Sequence, residues 1–530
     1  MNNGIISNML SKQNDLAKTA IEEIKNAYKE DTRPWIIGYS GGKDSTVVVQ
    51  LIFDALCELP KNELHKKVYV ISSDTLVETP LIINSINQTL RRIQDEALKR
   101  ELPLETHKVK PKMDQSFWVN IIGRGYPTPN QQFRWCTDRL KIDPANQFII
   151  DKVSDFGEVI MILGVREDES TSRGNSMRSH AVEGKLFMKH STLSNAYVYA
   201  PIRHFSLDDV WDYLLNYASP WGDDNYDLYS LYQDSNSGEC PLVIDKATKE
   251  DAGSCGNSRF GCWVCTVVSE DKALNGFIQS GQDWLKPLLD FRNWLTSIRD
   301  DRTKRMKYRR HGQIYFKEVK VEAIDDIEYV IIPKKASRRK ELIKLEEYTI
   351  VPKNELNKYL TKNNIDLSAE GDQKLLVTYK EEGLDGEENL KYAQLGLGPY
   401  TFEARKEILE KLLIVQREVK HPDDPYFELI KKEELIEIRK IWMKIGDWED
   451  SLPSLYFDIM GHGEDWEMVE KPVFDKDQIS DLELLCDEFH VDLNVVKQLI
   501  SIQKDYTGLK VRRGLMNEIK KTLTQDYLHL

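Results

Sequence analysis

The stretch PWIIGYSGGKDS, residues Pro34–Ser45, joins a short apolar run to a turn with two adjacent glycines. Pro34–Tyr39 has the length and apolar character of a buried strand, and Thr46–Leu59 is typical of an apolar helix. Gly41 and Gly42 would let the backbone approach a ligand closely. A helix start offers free N–H groups and the positive end of the helix dipole. The stretch therefore predicts a phosphate-binding loop between a strand and a helix.

The side chains of this loop suit the same chemistry. Ser40 and Ser45 supply hydroxyl groups, and Lys43 supplies a positive charge. Asp44 would repel a phosphate unless a cation lay between them, so an ATP-like ligand with Mg²⁺ is implied. The loop differs from the kinase-type phosphate loop, because Asp44 follows the lysine and no glycine precedes it at the required spacing. A glycine-rich turn without a ligand is the alternative interpretation.

Strands and helices alternate outward from this loop. We predict further strands at Lys67–Ile71 and Val159–Val165, and helices at residues 4–29 and Leu207–Leu215. The alternation predicts an α/β fold, in which a mostly parallel sheet carries helices on both faces. Ligands of such sheets bind at the carboxyl ends of the strands.

The pattern of the chain changes near residue 285. Residues 314–351 are rich in strand-like sequence, and long helical patterns dominate after Thr401. We therefore expect a first domain of residues 1–285, which includes the cysteines of residues 255–265. A mainly helical accessory region with some β structure, residues 286–530, would bind DNA or a partner.

The composition is that of a globular protein. Of the 530 residues, 41% are hydrophobic and 30% are charged, and the formal net charge is 73 − 87 = −14. Such an acidic chain is not a general binder of nucleic acid, although residues 302–340 carry a local net charge of 13 − 5 = +8. No apolar run is long enough to cross a membrane, and Met1–Leu10 lacks the pattern of a signal peptide. We therefore expect a cytoplasmic protein without a membrane partner.

Seven cysteines in a long chain favour metal or redox chemistry over a disulfide scaffold. Three of them form a compact cluster with neighbouring glycines, and a fourth lies in the basic stretch RWCTDRLK. These four candidate metal ligands are Cys136, Cys255, Cys262 and Cys265. Four cysteines suit zinc or an iron–sulfur cluster, and four unrelated buried cysteines are the third alternative. Cys240 is either a thiol that carries sulfur or a buried residue, whereas Cys57 and Cys486 are expected in the core.

Several motifs resemble those of one nucleotide-binding superfamily. SGGKDS resembles the pyrophosphatase loop of the adenine nucleotide α-hydrolase-like superfamily, whose members typically cleave ATP to AMP and pyrophosphate. The turn Ser72–Thr75 resembles a second nucleotide-contacting turn, and GVREDES at residues 164–170, with Arg173, resembles the sulfonucleotide (PAPS) reductase branch. The predicted catalytic residues are Ser40, Lys43, Asp44, Arg166 and Cys240. The predicted nucleotide-binding residues are Ser40, Gly41, Gly42, Lys43, Asp44, Ser45, Asp74, Arg134, Lys141 and Arg166.

The combination of motifs resembles most closely the DndC family of DNA phosphorothioation proteins. The shared stretches are RWCTDRLKI at residues 134–142, GVREDES, and CGNSRFGCWVCTVVSEDKAL at residues 255–274. The resemblance implies an ATP-dependent sulfurtransferase that replaces an oxygen of the DNA backbone with sulfur, with a 4Fe-4S cluster, ATP and Mg²⁺ as cofactors. It also implies DNA, a cysteine desulfurase and other proteins of a phosphorothioation complex as partners. A sulfonucleotide reductase and a non-enzymatic iron–sulfur DNA-binding regulator are the alternatives.

Two features of the C-terminal region could contact DNA. One is the basic stretch Arg302–Lys340, in which we single out Arg305, Arg309 and Arg310. The other is a possible helical pair at Ile479–Phe489 and Leu493–Gln503, whose spacing permits a helix-turn-helix. Contact to the DNA backbone without base recognition fits an enzyme that acts on phosphate better than groove reading does.

Overall fold

The structure is a computed structural model of the whole chain. It describes residues 2–167, 186–190, 193–235, 261–306, 309, 316–324, 327–333, 340–344, 376–382, 388–466, 476–491, 493–507 and 512–523. Some predicted functional residues lie outside these ranges, namely Asp168, Glu169, Ser170, Arg173, Cys240, Cys255 and Arg310.

The chain divides into two compact units. The first unit comprises Met1–Phe117, Gln132–Asn293 and Val419–Asp423, and the second comprises Trp118–Gln131, Trp294–Glu418 and Asp424–Leu530. Each unit is thus assembled from separate segments of the chain rather than from one continuous stretch.

The first unit contains a six-stranded sheet with strand order β3-β2-β1-β4-β6-β5. Its strands are β1 (Trp35–Gly38), β2 (Val68–Ser73), β3 (Leu104–Val109), β4 (Val159–Ile162), β5 (Met188–Lys189) and β6 (Ala196–Tyr199). All neighbouring pairs are parallel except β5 and β6, which are antiparallel. The predicted α/β class and its mostly parallel sheet are therefore confirmed.

Among the described residues, four helices alternate with strands β1 to β4, and four more follow β6. They are α1 (Asn2–Lys29), α2 (Lys43–Glu58), α3 (Pro80–Lys99), α4 (Asp143–Phe156), α5 (Leu207–Asn216), α6 (Asn225–Asp234), α7 (Lys272–Gln279) and α8 (Lys286–Ile298). Side-chain caps mark several helix starts, as in α5, where Ser206 and Asp209 form a reciprocal capping box. The caps satisfy N–H groups that have no partner inside the helix.

The central strand β1 is buried on both faces, as a sheet covered by helices requires. Successive side chains of a strand point to opposite faces, and Trp35, Ile36 and Ile37 are all fully buried. Ile36 belongs to an apolar cluster that includes Ile149 of α4. Trp35, on the other face, meets Tyr28 of α1 edge-on with ring centroids 5.3 Å apart.

The second unit combines an antiparallel sheet with helices. Its strands are β7 (Phe316–Ile324), β8 (Ile327–Pro333), β9 (Lys340–Lys344), β10 (Leu376–Glu382) and β11 (Glu388–Leu395), in the order β10-β11-β7-β8-β9. Its later helices are α9 (Phe402–Glu418), α10 (Lys432–Ile445), α11 (Ser451–Met460), α12 (Lys476–Glu488), α13 (Leu493–Asp505) and α14 (Leu515–Leu523). The predicted β-rich segment and the predicted helical pair, α12 and α13, are both present.

The structure corrects one residue of the predicted DNA surface. Arg305 is only 6% exposed, its Nε donates to the carbonyl of Gly398 at 2.6 Å, and its guanidinium lies 5.1 Å from the ring centroid of Tyr400. Nearby, Arg302 donates to the carbonyl of Gly396 at 3.0 Å, and Lys304 forms an ion pair with Glu407. The prediction that Arg305 faces DNA is therefore wrong. The N–H groups of a guanidinium can donate to carbonyl groups inside the protein as well as to phosphates outside it.

Within the described part of the chain, no helix combines the length and the apolar character that crossing a bilayer requires.

Candidate nucleotide site and cysteine segment

The predicted phosphate loop lies where the direction of strand order reverses. It follows β1, which pairs with β2 on one side and with β4 on the other. The next two strands of the chain, β2 and β3, lie on one side of β1, and the later strands, beginning with β4, lie on its other side. A crevice is expected beyond the carboxyl end of β1, where this change of side occurs. The loop leads directly into α2, whose first turn contains Asp44.

The loop is a tight turn stabilised by its own hydroxyl groups. Gly41 has a φ of +73°, and a Cβ at this position would lie 2.6 Å from a side-chain carbon of Ile86. The Oγ atoms of Ser40 and Ser45 are 3.1 Å apart, and Ser45 Oγ donates to the carbonyl of Gly42 at 2.9 Å. Gly41 is therefore required both by backbone conformation and by space.

The charges of the loop are paired within the protein. Asp44 lies between two buried cations, with its Oδ2 3.2 Å from Lys43 Nζ and its Oδ1 2.5 Å from Arg166 Nε. Lys43 and Arg166 are only 3% and 4% exposed. Buried charges of this kind are held by their partners, so the ion pairs connect the loop to the turn that follows β4.

This pairing bears on the predicted Mg²⁺. Each carboxylate oxygen of Asp44 has a cation within ion-pair distance, so a Mg²⁺ ion bound there would share the carboxylate with Lys43 and Arg166. Mg²⁺ at Asp44 stays a prediction. The two cations provide positive charge that suits phosphate oxygens.

The backbone of the turn after β4 packs directly against the backbone at the start of α2. A Cβ on Gly164 would lie 2.8 Å from the carbonyl oxygen of Asp44 and 3.0 Å from the backbone nitrogen of Ser45. Real Cβ atoms do not come this close to backbone, so only glycine fits here. The GVRED turn thus positions both the start of α2 and the guanidinium of Arg166.

Asp74, a predicted nucleotide-binding residue, lies at the same edge of the sheet. It follows β2, and its Oδ2 is 3.5 Å from Lys108 Nζ and 3.7 Å from Lys110 Nζ. Its Oδ1 accepts a hydrogen bond of 3.0 Å from the backbone of Leu76. The carboxylate therefore orders the turn after β2 and pairs with two lysines, one near the end of β3 and one just after it.

The cysteine segment pairs with that turn. Cys262 forms an antiparallel bridge with Glu78, and the backbone nitrogen of Trp263 donates to the carbonyl of Val77 at 3.1 Å. Thr79 Oγ1 donates to the carbonyl of Gly261 at 2.9 Å. The segment is therefore fixed beyond the carboxyl end of β2, at the edge of the sheet that also carries the phosphate loop.

The surroundings of these thiols are polar and partly charged. Cys262 Sγ lies 3.3 Å from Thr75 Oγ1 and 3.8 Å from Glu78 Oε1, and Glu78 Oε1 is 3.2 Å from Lys141 Nζ. Burial raises the pKa of the Cys262 thiol far above its ordinary value. Burial, and then the negative charge of Cys265, also raise the pKa of Cys136. Three of the four predicted ligands, Cys136, Cys262 and Cys265, thus lie in one neighbourhood with Lys141.

A metal centre is not complete in the part of the chain that the structure describes. No three His, Cys, Asp or Glu side chains among those residues form a group that could hold a metal ion. Cys255, the fourth predicted ligand, lies outside them. The donors brought together are thiols, which suit iron–sulfur clusters and zinc.

The remaining predicted basic residues have different surroundings. Arg134 is exposed, whereas Arg139 donates to Gln115 Oε1 at 3.1 Å. Lys141 pairs with Glu78 beside the cysteines rather than with the loop. The structure thus places Arg166 at the loop and Lys141 at the cysteine segment.

Sequence reasoning missed two features of this region. Tyr232 of α6 lies against the phosphate loop, and no local pattern marks it. Lys108, Lys110 and Lys112 are exposed at alternate positions at the end of β3. The run KVKPK, which begins in the last two residues of β3, was a readable signal for such a basic surface.

The chain is similar to one protein family over part of its length. Residues 34–268 match the family model of the phosphoadenosine phosphosulfate reductase domain. The predicted resemblance to the PAPS reductase branch is confirmed at this level.

A relative and two solved structures also resemble the chain. An uncharacterized protein of Methanocaldococcus jannaschii is 27% identical over 220 residues, which are 42% of this chain and only 38% of the relative's own length. The PAPS reductase of Candida auris, in a phosphate complex, is 15% identical with a TM-score of 0.26, over 42% of this chain and 91% of that chain. The U34-tRNA thiolase NcsA of Methanococcus maripaludis, with its 4Fe-4S cluster, is 10% identical with a TM-score of 0.26, over 54% of this chain and 80% of that chain.

Proposed function

We propose that this protein is an ATP-dependent sulfurtransferase that activates a phosphate oxygen of the DNA backbone and replaces it with sulfur. The observation that carries the proposal is the position of two segments on one edge of the sheet. The phosphate loop follows β1, and the segment of Cys262 pairs with the turn after the neighbouring β2. A nucleotide and a sulfur-handling site at one edge of the sheet are what this reaction needs.

The proposed chemistry has two balanced steps. A non-bridging oxygen of the DNA phosphate attacks the α-phosphorus of ATP, the bond to the β-phosphate breaks, and pyrophosphate leaves. A nucleophilic sulfur then attacks the activated DNA phosphorus, and the original oxygen leaves with AMP. Adenylation matters because an oxygen on phosphorus is otherwise a poor leaving group. Lys43, Arg166 and the N–H groups of α2 would position the phosphates and neutralise their charge.

The cysteines are proposed to handle the sulfur. Cys136, Cys262 and Cys265, with Cys255 as fourth ligand, would hold a 4Fe-4S cluster, which when bound supplies redox chemistry. The sulfur would come from the persulfide of a cysteine desulfurase, and a dithiol reductant would supply the two electrons that release its outer sulfur as nucleophilic sulfide. Lys141, held by Glu78 next to Cys262, would offset the negative charge of the assembled thiolates.

Two other functions are consistent with part of the site. The family match of residues 34–268 favours a sulfonucleotide reductase, which binds a nucleotide without cleaving ATP. A non-enzymatic iron–sulfur DNA-binding regulator would bind ATP without turnover. Release of pyrophosphate from ATP separates the proposed enzyme from both.

The test is a pyrophosphate-release assay on anaerobically purified protein, with and without DNA. We expect Ser40→Ala with Asp44→Asn to reduce the rate of pyrophosphate release at least ~100-fold. Removing one group that stabilises transition-state charge has an effect of this size. Asn at position 44 keeps an acceptor for Arg166 but removes the counter-charge of two buried cations, so the assay is run below the melting temperature measured for the variant. Ser154→Ala with Asp155→Asn, an exposed pair on α4, is the matched control. Pyrophosphate release that survives in the loop variant, or is absent from the unmodified protein, would contradict the proposal.

A further inference from the structure

The phosphate loop has a partner from a distant helix. Tyr232, in the last turn of α6, is 5% exposed. Its hydroxyl oxygen accepts a hydrogen bond of 3.3 Å from the backbone nitrogen of Lys43. The Nζ of Lys43 lies 5.2 Å from the centroid of the same ring. Tyr232 thus contacts both the backbone and the charged end of Lys43.

The N–H group that Tyr232 engages is one that a phosphate would need. Lys43 is the first residue of α2, and Gly42 at its N-cap supplies no side-chain cap. N–H groups at a helix start are the donors that bind anions. The second loop amide with a side-chain acceptor is that of Ser40, which donates to Ser45 Oγ at 3.2 Å. Side-chain oxygens of the protein therefore accept the hydrogen bonds that these backbone N–H groups would otherwise donate to phosphate oxygens.

We propose that the Tyr232 hydroxyl is a placeholder that occupies the Lys43 N–H in the nucleotide-free protein and is displaced by a phosphate oxygen of the nucleotide. Tyr232 then competes with the phosphate for this N–H group. The inference rests on phosphate binding by the loop, which is one part of the proposed function, and it does not require DNA or sulfur chemistry.

The packing around α6 indicates which part of Tyr232 moves. A Cβ on Gly276 of α7 would lie 2.2 Å from the carbonyl oxygen of Asp234, so the end of α6 is in backbone contact with α7. The ring of Tyr232 meets Trp211 edge-on at a centroid distance of 5.1 Å. Backbone and ring are therefore both held, and a small displacement of the hydroxyl away from the Lys43 N–H group is enough to free that donor.

The test compares equilibrium binding of inorganic pyrophosphate to Tyr232→Phe and to the unmodified full-length protein by calorimetry. The phenyl ring keeps its packing and its contact with Lys43 but has no hydroxyl for phosphate to displace. Affinity should therefore rise roughly 2- to 10-fold, the effect of one neutral hydrogen bond. The KM for ATP should fall in parallel while the melting temperature stays within about 2 °C, because one exposed or replaced hydrogen bond is a small part of total stability.

Tyr226→Phe is the matched control, because Tyr226 lies on the same helix, is 58% exposed and loses the same hydroxyl. Tighter binding in Tyr232→Phe alone supports the inference. Unchanged or weaker binding in that variant overturns it, since weaker binding would make the hydroxyl a direct ligand of phosphate. Tight pyrophosphate binding without ATP cleavage would refute the proposed enzyme and leave this inference standing. Absence of binding by the unmodified protein overturns both.

Discussion

At the scale of single residues, the cysteines separate into two groups. Cys136, Cys262 and Cys265 share one neighbourhood at the edge of the first sheet. Cys57 instead accepts a 3.4 Å hydrogen bond from Arg100, and Cys486 is buried in α12. If the first group binds a cluster, its loss should be visible one residue at a time.

We expect anaerobically purified protein to be brown, with about four irons per chain. Serine at Cys136, Cys262 or Cys265 should remove most of the iron, because each change deletes one thiolate ligand. The controls Cys57→Ser and Cys486→Ser should keep it, and iron and acid-labile sulfide analysis gives the measurement. Colourless protein with stoichiometric zinc would instead make the site structural.

At the scale of elements, the start of α2 and the turn after β4 are packed at backbone distance. Gly164→Ala would place its new Cβ 2.8 Å from the carbonyl of Asp44, so one of the two elements must shift. We expect a loss of about 1–3 kcal/mol of unfolding free energy, as for other overpacked sites. Pyrophosphate release should fall at least ~10-fold, because a displacement of about 1 Å at a catalytic site can cost two orders of magnitude.

Gly463→Ala is the control for this change, because a Cβ there meets nothing within 4 Å. Denaturant titration and the pyrophosphate assay together give the two readouts. Full activity in Gly164→Ala would mean that the packing of these two elements does not position the loop.

At the scale of the whole molecule, charge is distributed unevenly on an acidic protein. The chain carries a net charge of −14, yet Lys108, Lys110 and Lys112 are exposed together near Asp74. Lys108 is near the end of β3 and the other two follow that strand, at the carboxyl end of the sheet, where the loop and the cysteine segment also lie. We propose this basic surface for the DNA backbone, since a polyanion must approach that edge to react.

Glutamine at all three lysines should weaken DNA binding and lower the slope of log affinity against log salt by about 3, one for each phosphate that is no longer neutralised. ATP binding measured without DNA should be unchanged, because these lysines lie outside the phosphate loop. The control replaces Lys61, Lys67 and Lys99, which are equally charged but lie toward the amino ends of β2 and β3. An unaltered salt slope in the first variant, measured by fluorescence anisotropy, would exclude this surface.

The sequence by itself determined the elements and the class of the first sheet. The apolar run Pro34–Tyr39, the glycine turn and the apolar helix that follows are local patterns, and local patterns predict local structure. The parallel arrangement followed from the alternation of strands and helices. The four-cysteine metal site predicted from motifs stays a prediction, although Cys136, Cys262 and Cys265 are close enough to influence one another's pKa.

Only the tertiary structure decided what each charged or polar side chain does within that framework. Arg166 and Asp44 are 122 residues apart in the chain, and Tyr232 and Lys43 are 189 apart. Arg305 belongs to a basic run but is buried against carbonyl groups. The physical reason is that periodicity reports which face of an element is apolar, whereas the partner of a charge depends on which distant elements pack beside it.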